Sequence, residues 1–270
     1  MASPPYLLDH LDDISHIASL APLGLVTDID GTISEIAPTP QEARVSPSIR
    51  RKLARLASHL AVVAAVSGRT AEQARQMVGA DGLLYVGNHG LEYLSGGELE
   101  LTAEARPYLP AIASALEALK RRLNVEGLLF EEKLATAAIH YRAAADPSAA
   151  RAAILEALRR LPQAKELAIA EGKMVVELRP PVPVDKGTAL RDIVKRYGLA
   201  GLFYVGDDRT DLDAFLALAE LRRTGACQGI SIAVAGAETP SQVVEAADYR
   251  VSSVADVEGF LSWLLERLPR

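Results

Sequence analysis

The chain has 270 residues, 49% of them hydrophobic, and a formal net charge of −6, so it is long enough for one large domain or two smaller ones. The negative charge gives no attraction to nucleic acid or anionic lipid, and no apolar run reaches the roughly 20 residues that span a bilayer. The single cysteine, Cys227, excludes an intramolecular disulfide, and we therefore expect a cytoplasmic protein with no nucleic-acid or membrane partner.

Short apolar runs alternate with helical patterns at both ends of the chain. Strand-like runs at 23–26, 60–66 and 83–86 are separated by predicted helices at 47–58 and from residue 70. The alternation returns with strand-like runs at 202–205, 230–234 and 249–251 and with helices at 188–197, 211–221 and 257–268. This alternation predicts an α/β fold with a mostly parallel, Rossmann-like sheet and helices on both faces.

The segment between these two regions has a different order of elements. It contains a predicted helix at 107–123, strands at 128–131 and 135–142, a helix at 147–161, and a hairpin-like pair at 167–170 and 174–178. Two helices that each precede two strands predict a separate α+β unit. We therefore predict a discontinuous core, residues 1–106 and 183–270, interrupted by an inserted α+β cap domain at 107–182.

Polar clusters follow the predicted core strands. They are Asp28 with Asp30, Ser67-Gly68-Arg69, Asn88-His89, and Asp207 with Asp211. In open α/β sheets, ligands bind beyond the carboxyl ends of the strands, so these clusters can share one crevice. Lys186 stands at a predicted helix start, where its charge and the helix dipole both favour an anion. Several carboxylates beside an anion site are typical of Mg²⁺ bound together with a phosphate.

These motifs resemble a known phosphatase family. Asp28–Thr32, Ser67, Lys186 and Gly206–Asp208 with Asp211 are similar, in order, to the four motifs of the haloacid-dehalogenase-type phosphatases. Within that class, the chain is similar to the trehalose-6-phosphate phosphatases at Val66–Arg69, Asn88–Gly90, Val175–Pro180 and Gly206–Phe215. The resemblance covers almost the whole chain after residue 20. It implies Mg²⁺-dependent hydrolysis of trehalose 6-phosphate to trehalose and phosphate, the last step of trehalose biosynthesis.

The resemblance also implies roles for individual residues. Asp28 is expected to attack phosphorus and form an aspartyl-phosphate, while Asp30 protonates the leaving sugar and then activates water. Mg²⁺ is expected on the Asp28 carboxylate, the Asp30 main-chain carbonyl and Asp207, with Asp211 as a further ligand or as support for one. Ser67 and Lys186 are expected to hold phosphate oxygens. The expected substrate-binding residues are Gly31, Thr32, Gly68, Arg69, Asn88, His89, Glu132, Lys133 and Glu177.

Alternatives remain open at the level of sequence. The same chemistry would serve another sugar phosphate or a glycosyl-phosphoglycerate, and passing the phosphoryl group to a sugar hydroxyl would make a phosphomutase. A solvated sheet face also explains the charged residues of the inserted segment. A catalytically inactive sensor is disfavoured because Asp28, Asp30 and Asp207 are all present. We expect a monomer whose partner is a small-molecule sugar phosphate.

Overall fold

The computed structural model describes residues 3–37, 42–172 and 174–268. The chain divides into two compact units, one formed by Met1–Glu100 with Val184–Arg270 and the other by Leu101–Pro183. The sequence placed the inserted segment at 107–182, whereas the second unit begins earlier, at Leu101. The short 3-10 helix at Arg106–Tyr108 therefore lies inside this unit and not at its border.

The described residues form strands and α-helices with the following bounds. The strands are β1 Leu23–Thr27, β2 Val62–Val66, β3 Leu84–Gly87, β4 Glu92–Ser95, β5 Glu98–Leu101, β6 Leu129–Lys133, β7 Thr136–His140, β8 Ala168–Gly172, β9 Val175–Arg179, β10 Gly201–Gly206, β11 Gln228–Val234 and β12 Tyr249–Val251. The helices are α1 Ser15–Ala18, α2 Pro47–Ala57, α3 Ala71–Val78, α4 Leu109–Arg122, α5 Pro147–Arg159, α6 Lys186–Tyr197, α7 Asp211–Arg223, α8 Ser241–Ala246 and α9 Val254–Arg267. None of these helices combines the length and the apolar character needed to cross a bilayer.

The first unit is built on an eight-stranded sheet of order β12-β11-β10-β1-β2-β3-β4-β5. Strands β12 to β3 in this order are parallel, and β4 pairs antiparallel with β3. Alternate side chains of β1 enter different cores, with Leu25 in one and Val26 in the other. Burial on both faces explains why β1, β2 and β10 are short apolar runs without alternation. The predicted α/β fold class is confirmed.

Strands β4 and β5 were not predicted from the sequence. They flank Gly96 and Gly97, whose φ angles of 58° and 86° form the turn of an edge hairpin. Strand β5 is largely exposed, so its sequence lacks the apolar run by which the central strands were recognised. An exposed edge strand places little demand on side-chain type, and its polar pattern resembles that of a loop.

The second unit contains a four-stranded antiparallel sheet of order β6-β7-β9-β8. One face of this sheet packs on α4 and α5 in a core that includes Ala137, Ile139, Val176 and Leu178. The residues between these positions point to the opposite face, because side chains alternate along a strand. Helix α5 begins with Pro147 in its first turn and with Asp146 as its N-cap.

Candidate active site

The turn after β1 brings Asp28 next to the end of β10. The Asp28 amide donates to the Val205 carbonyl oxygen at 2.8 Å, which extends the pairing of the two strands by one residue. Gly31 follows with a φ of 87°, and a Cβ atom at this position would lie 2.2 Å from Asp207 Oδ2. The Thr32 hydroxyl donates to Asp207 Oδ1 at 3.0 Å. Gly31 is therefore required for the close approach of this turn to the Asp207 carboxylate.

Lys186 is a buried cation at the first position of α6. The preceding residue, Asp185, caps the helix through the Thr188 amide, so the helix begins where the sequence places the lysine. The Lys186 side chain is 1% exposed, and its Nζ lies 2.7 Å from Asp28 Oδ1 and 2.8 Å from Asp211 Oδ1. The ammonium thus joins the first and last of the predicted motifs in one network.

Asp211 has both carboxylate oxygens occupied by hydrogen-bond donors. Oδ1 accepts from Lys186 Nζ at 2.8 Å and from the Tyr204 hydroxyl at 2.7 Å. Oδ2 accepts from the backbone amides of Asp207 and Asp208, both at 2.9 Å. This saturation favours Asp211 as a support that holds its neighbours in place over Asp211 as a direct metal ligand.

Burial dominates the protonation behaviour of this carboxylate group. It raises the pKa of Asp28 well above its usual range, raises the pKa of Asp207 to about 7, and also raises that of Asp211. Burial alone would lower the pKa of Lys186, but the Asp211 and Asp28 carboxylates outweigh it and raise this pKa. One ammonium does not balance the nearby carboxylates, so a proton or a cation is favoured here.

Carboxylate oxygens of Asp28, Asp207 and Asp211 lie within 4.8 Å of one another. All three residues are buried, and hard oxygen ligands at such spacing are the kind that Mg²⁺ takes. The Asp30 side chain is not part of this group. Its two oxygens instead accept from Arg69 Nη2 and Nε, each at 2.7 Å, in a bidentate ion pair.

The loops after β2 and β3 are tied together by backbone hydrogen bonds. The His89 amide donates to the Ser67 carbonyl oxygen at 3.0 Å, and the Asn88 amide donates to the Arg69 carbonyl oxygen at 2.8 Å. A Cβ atom on Gly68 would lie 2.8 Å from the His89 ring, so the glycine allows this packing. Ser67 is buried, and its Oγ accepts from the Arg69 amide at 3.1 Å. Accepting this bond leaves the Ser67 hydroxyl proton available for another acceptor.

Sequence reasoning missed two buried side chains that bond to predicted site residues, Tyr204 to Asp211 and Glu92 to Asn88. Tyr204 lies in the middle of the buried strand β10, where an aromatic residue is expected to be core. Glu92 opens β4 and is 1% exposed, although glutamate is rarely buried. Its Oε1 accepts from Asn88 Nδ2 at 2.6 Å, so the Asn88 amide is directed at Glu92. The sequence signal that could have revealed this contact was the glutamate that directly follows Asn88-His89-Gly90-Leu91.

In the second unit, the register separates the predicted substrate-binding residues. Glu131, Ala138 and Glu177 pair across β6, β7 and β9 and share a face with Lys133. Lys133 Nζ lies 3.4 Å from Glu177 Oε1 and 3.8 Å from Glu131 Oε2. Glu132 pairs with Ala137, on the face that packs on the helices. The structure therefore brings Lys133 and Glu177 together with Glu131 and not with Glu132.

Comparison with known proteins places these observations in a family. The strand order and the acidic residues at the strand ends define an α/β protein with a buried acidic site at one edge of a mostly parallel sheet. The family model described as trehalose-phosphatase matches residues 26–255. A trehalose 6-phosphate phosphatase of Zea mays is 30% identical over 99% of this chain and 76% of its own length. The chain belongs to the trehalose-phosphatase family, which confirms the resemblance.

Other relatives and solved structures agree on the fold. A trehalose-phosphate phosphatase of Mycobacterium avium is 33% identical over 90% of this chain. The chain spans 62% of that relative's length. An uncharacterized glycosyl hydrolase of Mycobacterium tuberculosis is 37% identical over 70% of this chain, which spans 15% of that relative's length. The structure of Aspergillus fumigatus trehalose-6-phosphate phosphatase is 26% identical, with a TM-score of 0.66 over 98% of this chain and 99% of its own.

Proposed function

We propose that this protein is a Mg²⁺-dependent phosphatase that hydrolyses trehalose 6-phosphate to trehalose and phosphate. The observation that carries the proposal is the buried ion pair between Lys186 and Asp28, beside Asp207 and Asp211, in a chain of the trehalose-phosphatase family. A nucleophilic carboxylate next to a fixed ammonium is suited to attack on a dianion, because phosphoryl transfer depends mainly on positioning and charge neutralisation.

The acidic group fits a divalent cation. Asp28 and Asp207 are the proposed side-chain ligands, and the Asp30 main-chain carbonyl is the proposed third ligand. Asp211 supports Asp207 by accepting a hydrogen bond from the Asp207 backbone amide. The raised pKa values of Asp28 and Asp207 support this assignment, since both mark an unbalanced negative charge. When bound, Mg²⁺ would offset charge on the transferring phosphoryl group.

Asp28 is the proposed nucleophile. Its Oδ1 is held by Lys186, whereas Oδ2 receives no hydrogen bond from the residues that the structure describes, so Oδ2 is the oxygen proposed to attack. Attack forms the Asp28–phosphorus bond as the bond to the sugar oxygen breaks. The Ser67 hydroxyl donates a hydrogen bond to a phosphate oxygen, and Lys186 limits the repulsion between Asp28 and the phosphate.

Asp30 is the proposed acid and base. It gives a proton to the departing sugar oxygen, then removes a proton from the water that attacks phosphorus and releases Asp28. A carboxyl held in a bidentate pair cannot donate a proton, so Asp30 must leave Arg69 before the first step. Once Asp30 has left, the Arg69 guanidinium pairs with the anionic substrate, which is the substrate-binding role expected for it.

The inserted unit is proposed to act as the cap that selects the sugar. The face that carries Glu131, Lys133 and Glu177 offers two charged acceptors, each within 4 Å of the Lys133 donor, which suits the hydroxyl groups of a disaccharide. Lys133 is buried beside its two partners and cannot be explained as an ordinary solvated surface residue. Glu131 replaces Glu132 in the proposed substrate-binding set.

The test is release of inorganic phosphate by the purified chain, with and without Mg²⁺. The substrate panel is trehalose 6-phosphate, glucose 6-phosphate and a glycosyl-phosphoglycerate, and the expected result is Mg²⁺-dependent release from the first. Asp28→Asn is expected to lower turnover by at least about 1,000-fold without unfolding the protein. Asp213→Asn, an exposed site on α7, is the matched control and is expected to stay active.

Each contrary outcome has its own meaning. Preference for another member of the panel would overturn the proposed substrate. Conversion of a sugar phosphate to its isomer without phosphate release would identify a phosphomutase. An active Asp28→Asn variant would refute the assigned nucleophile.

A further inference from the structure

Glu92 is a buried carboxylate that the proposed reaction does not use. It is the first residue of β4 and is 1% exposed. Each of its carboxylate oxygens accepts a hydrogen bond from a different loop. Oε1 accepts from Asn88 Nδ2 at 2.6 Å, and Oε2 accepts from the Ala71 amide at 2.9 Å. A buried acid with a donor on both oxygens ties together the groups that supply those donors.

One of the two loops carries Ser67, a candidate phosphate ligand, and the other carries Asn88 and His89. Ala71 is the first residue of α3, directly after the segment 67–70 that contains Ser67. Asn88 donates its own amide to the Arg69 carbonyl oxygen at 2.8 Å, so its backbone is bonded to the same segment. The loops are also in close contact, because a Cβ atom on Gly87 would lie 2.1 Å from the Ala71 nitrogen.

The Asn88 conformation needs support from outside its own loop. Asn88 has a φ of 48°, in the left-handed region that disfavours residues with a side chain. The bond from its side chain to Glu92 is short and goes to a charged acceptor, which is the stronger class of hydrogen bond. Asn88 is 3% exposed and its side-chain amide is directed at Glu92, so the Glu92 contact explains the burial of Asn88 better than direct binding of a sugar does.

We infer that Glu92 is a positioning residue for phosphate binding. Through Asn88 and the Ala71 amide, its carboxylate fixes the segment 67–70 so that the Ser67 hydroxyl faces the phosphate. The inference rests on the proposed phosphate role of Ser67. It predicts that the donor and acceptor at the Asn88–Glu92 contact can be exchanged without loss of phosphate affinity, provided that the pair remains complementary.

Inorganic phosphate is the probe, titrated by calorimetry into the full chain with Mg²⁺ present. Asn88→Asp sets two carboxylates against each other and is expected to weaken phosphate binding by about 10-fold or more, roughly the effect of one lost charge-assisted hydrogen bond. Adding Glu92→Gln in the same chain restores a donor–acceptor pair, since the glutamine oxygen accepts from Ala71 and its amide donates to the aspartate. The double variant is expected to bind phosphate within about 3-fold of the wild type.

Two further variants keep the test decisive. Asn88→Ala only deletes the donor and is expected to weaken phosphate binding by about 3-fold. This variant replaces Asn88→Asp in the test if Asn88→Asp does not fold. Asp248→Ala removes an acceptor of Ser231 at the far side of the sheet. It is expected to lower the Tm without changing phosphate affinity, which separates positioning from a general loss of stability.

The results that overturn the inference are specific to it. Unchanged phosphate affinity in Asn88→Asp or in Asn88→Ala would show that the contact does not position the site. A double variant as weak as Asn88→Asp would instead favour a direct contact between Asn88 and the ligand. Because calorimetry needs no turnover, an inactive wild type that still binds phosphate would refute the proposed function and leave this inference standing.

Discussion

The buried carboxylates predict how stability depends on pH when Mg²⁺ is absent. Burial moves the Asp207 pKa from 3.8 to about 7, so the folded protein keeps a proton that the unfolded chain has already lost. Between these two values the folded state binds more protons, and stability must therefore fall as the pH rises. At 1.36 kcal/mol per pH unit, Asp207 alone changes the free energy of unfolding by at most roughly 3 kcal/mol from pH 5 to pH 7.

The assay is urea unfolding at pH 5 and pH 8, in EDTA and in Mg²⁺. In EDTA, the free energy of unfolding is expected to be lower at pH 8 by up to about 3 kcal/mol. Mg²⁺ competes with the proton and is expected to stabilise the protein at pH 8 by about 2–3 kcal/mol near 100 times its Kd, and by much less at pH 5.

Asp207→Asn is the control, because it removes one of the titrating carboxylates. It is expected to reduce the dependence on pH and to weaken stabilisation by Mg²⁺. Stability in EDTA that increases from pH 5 to pH 8, or equal stabilisation by Mg²⁺ at both pH values, would refute the reasoning.

Three further predictions, made with four substitutions, test other parts of the structure. Gly31→Ala is expected to destabilise the protein by roughly 2 kcal/mol or more in urea, because the left-handed backbone and the Asp207 carboxylate both exclude a methyl group; an unchanged midpoint would contradict this. Tyr204→Phe removes a donor from Asp211 and is expected to cost about 1–2 kcal/mol of stability, to be compared with the wild type in the same titration. Glu131→Gln is expected to raise the KM for trehalose 6-phosphate by about 10-fold, whereas Glu132→Gln leaves the KM unchanged. Equal effects of the two variants on the KM would contradict the choice of Glu131 over Glu132 as a substrate-binding residue.

The sequence predicts the core because charged residues end its apolar runs. Asp28 and Asp207 follow buried strands directly, and parallel strands bring such residues to one edge of the sheet. Lys186 is recognisable from its position at a helix start. Its contacts with Asp28 and Asp211 are not, since they depend on which strands become neighbours.

Other features depend on contacts that a local pattern does not contain. The pairing of Asp30 with Arg69 joins residues 39 positions apart through side chains alone. In the second unit, adjacent residues of a strand face opposite sides, so Glu132 and Lys133 do not share a face. The choice of Glu131 became clear only from the pairing of β6 with β7 and of β7 with β9.

The place of β1 in the sheet has a consequence for synthesis of the chain. Its two neighbours are β2, which follows it closely, and β10, which begins only at Gly201. A nascent chain therefore carries one open edge of its central strand until the whole inserted unit has left the ribosome. Chains that end before β10 retain this apolar, unpaired edge, and we expect them to aggregate or to be degraded.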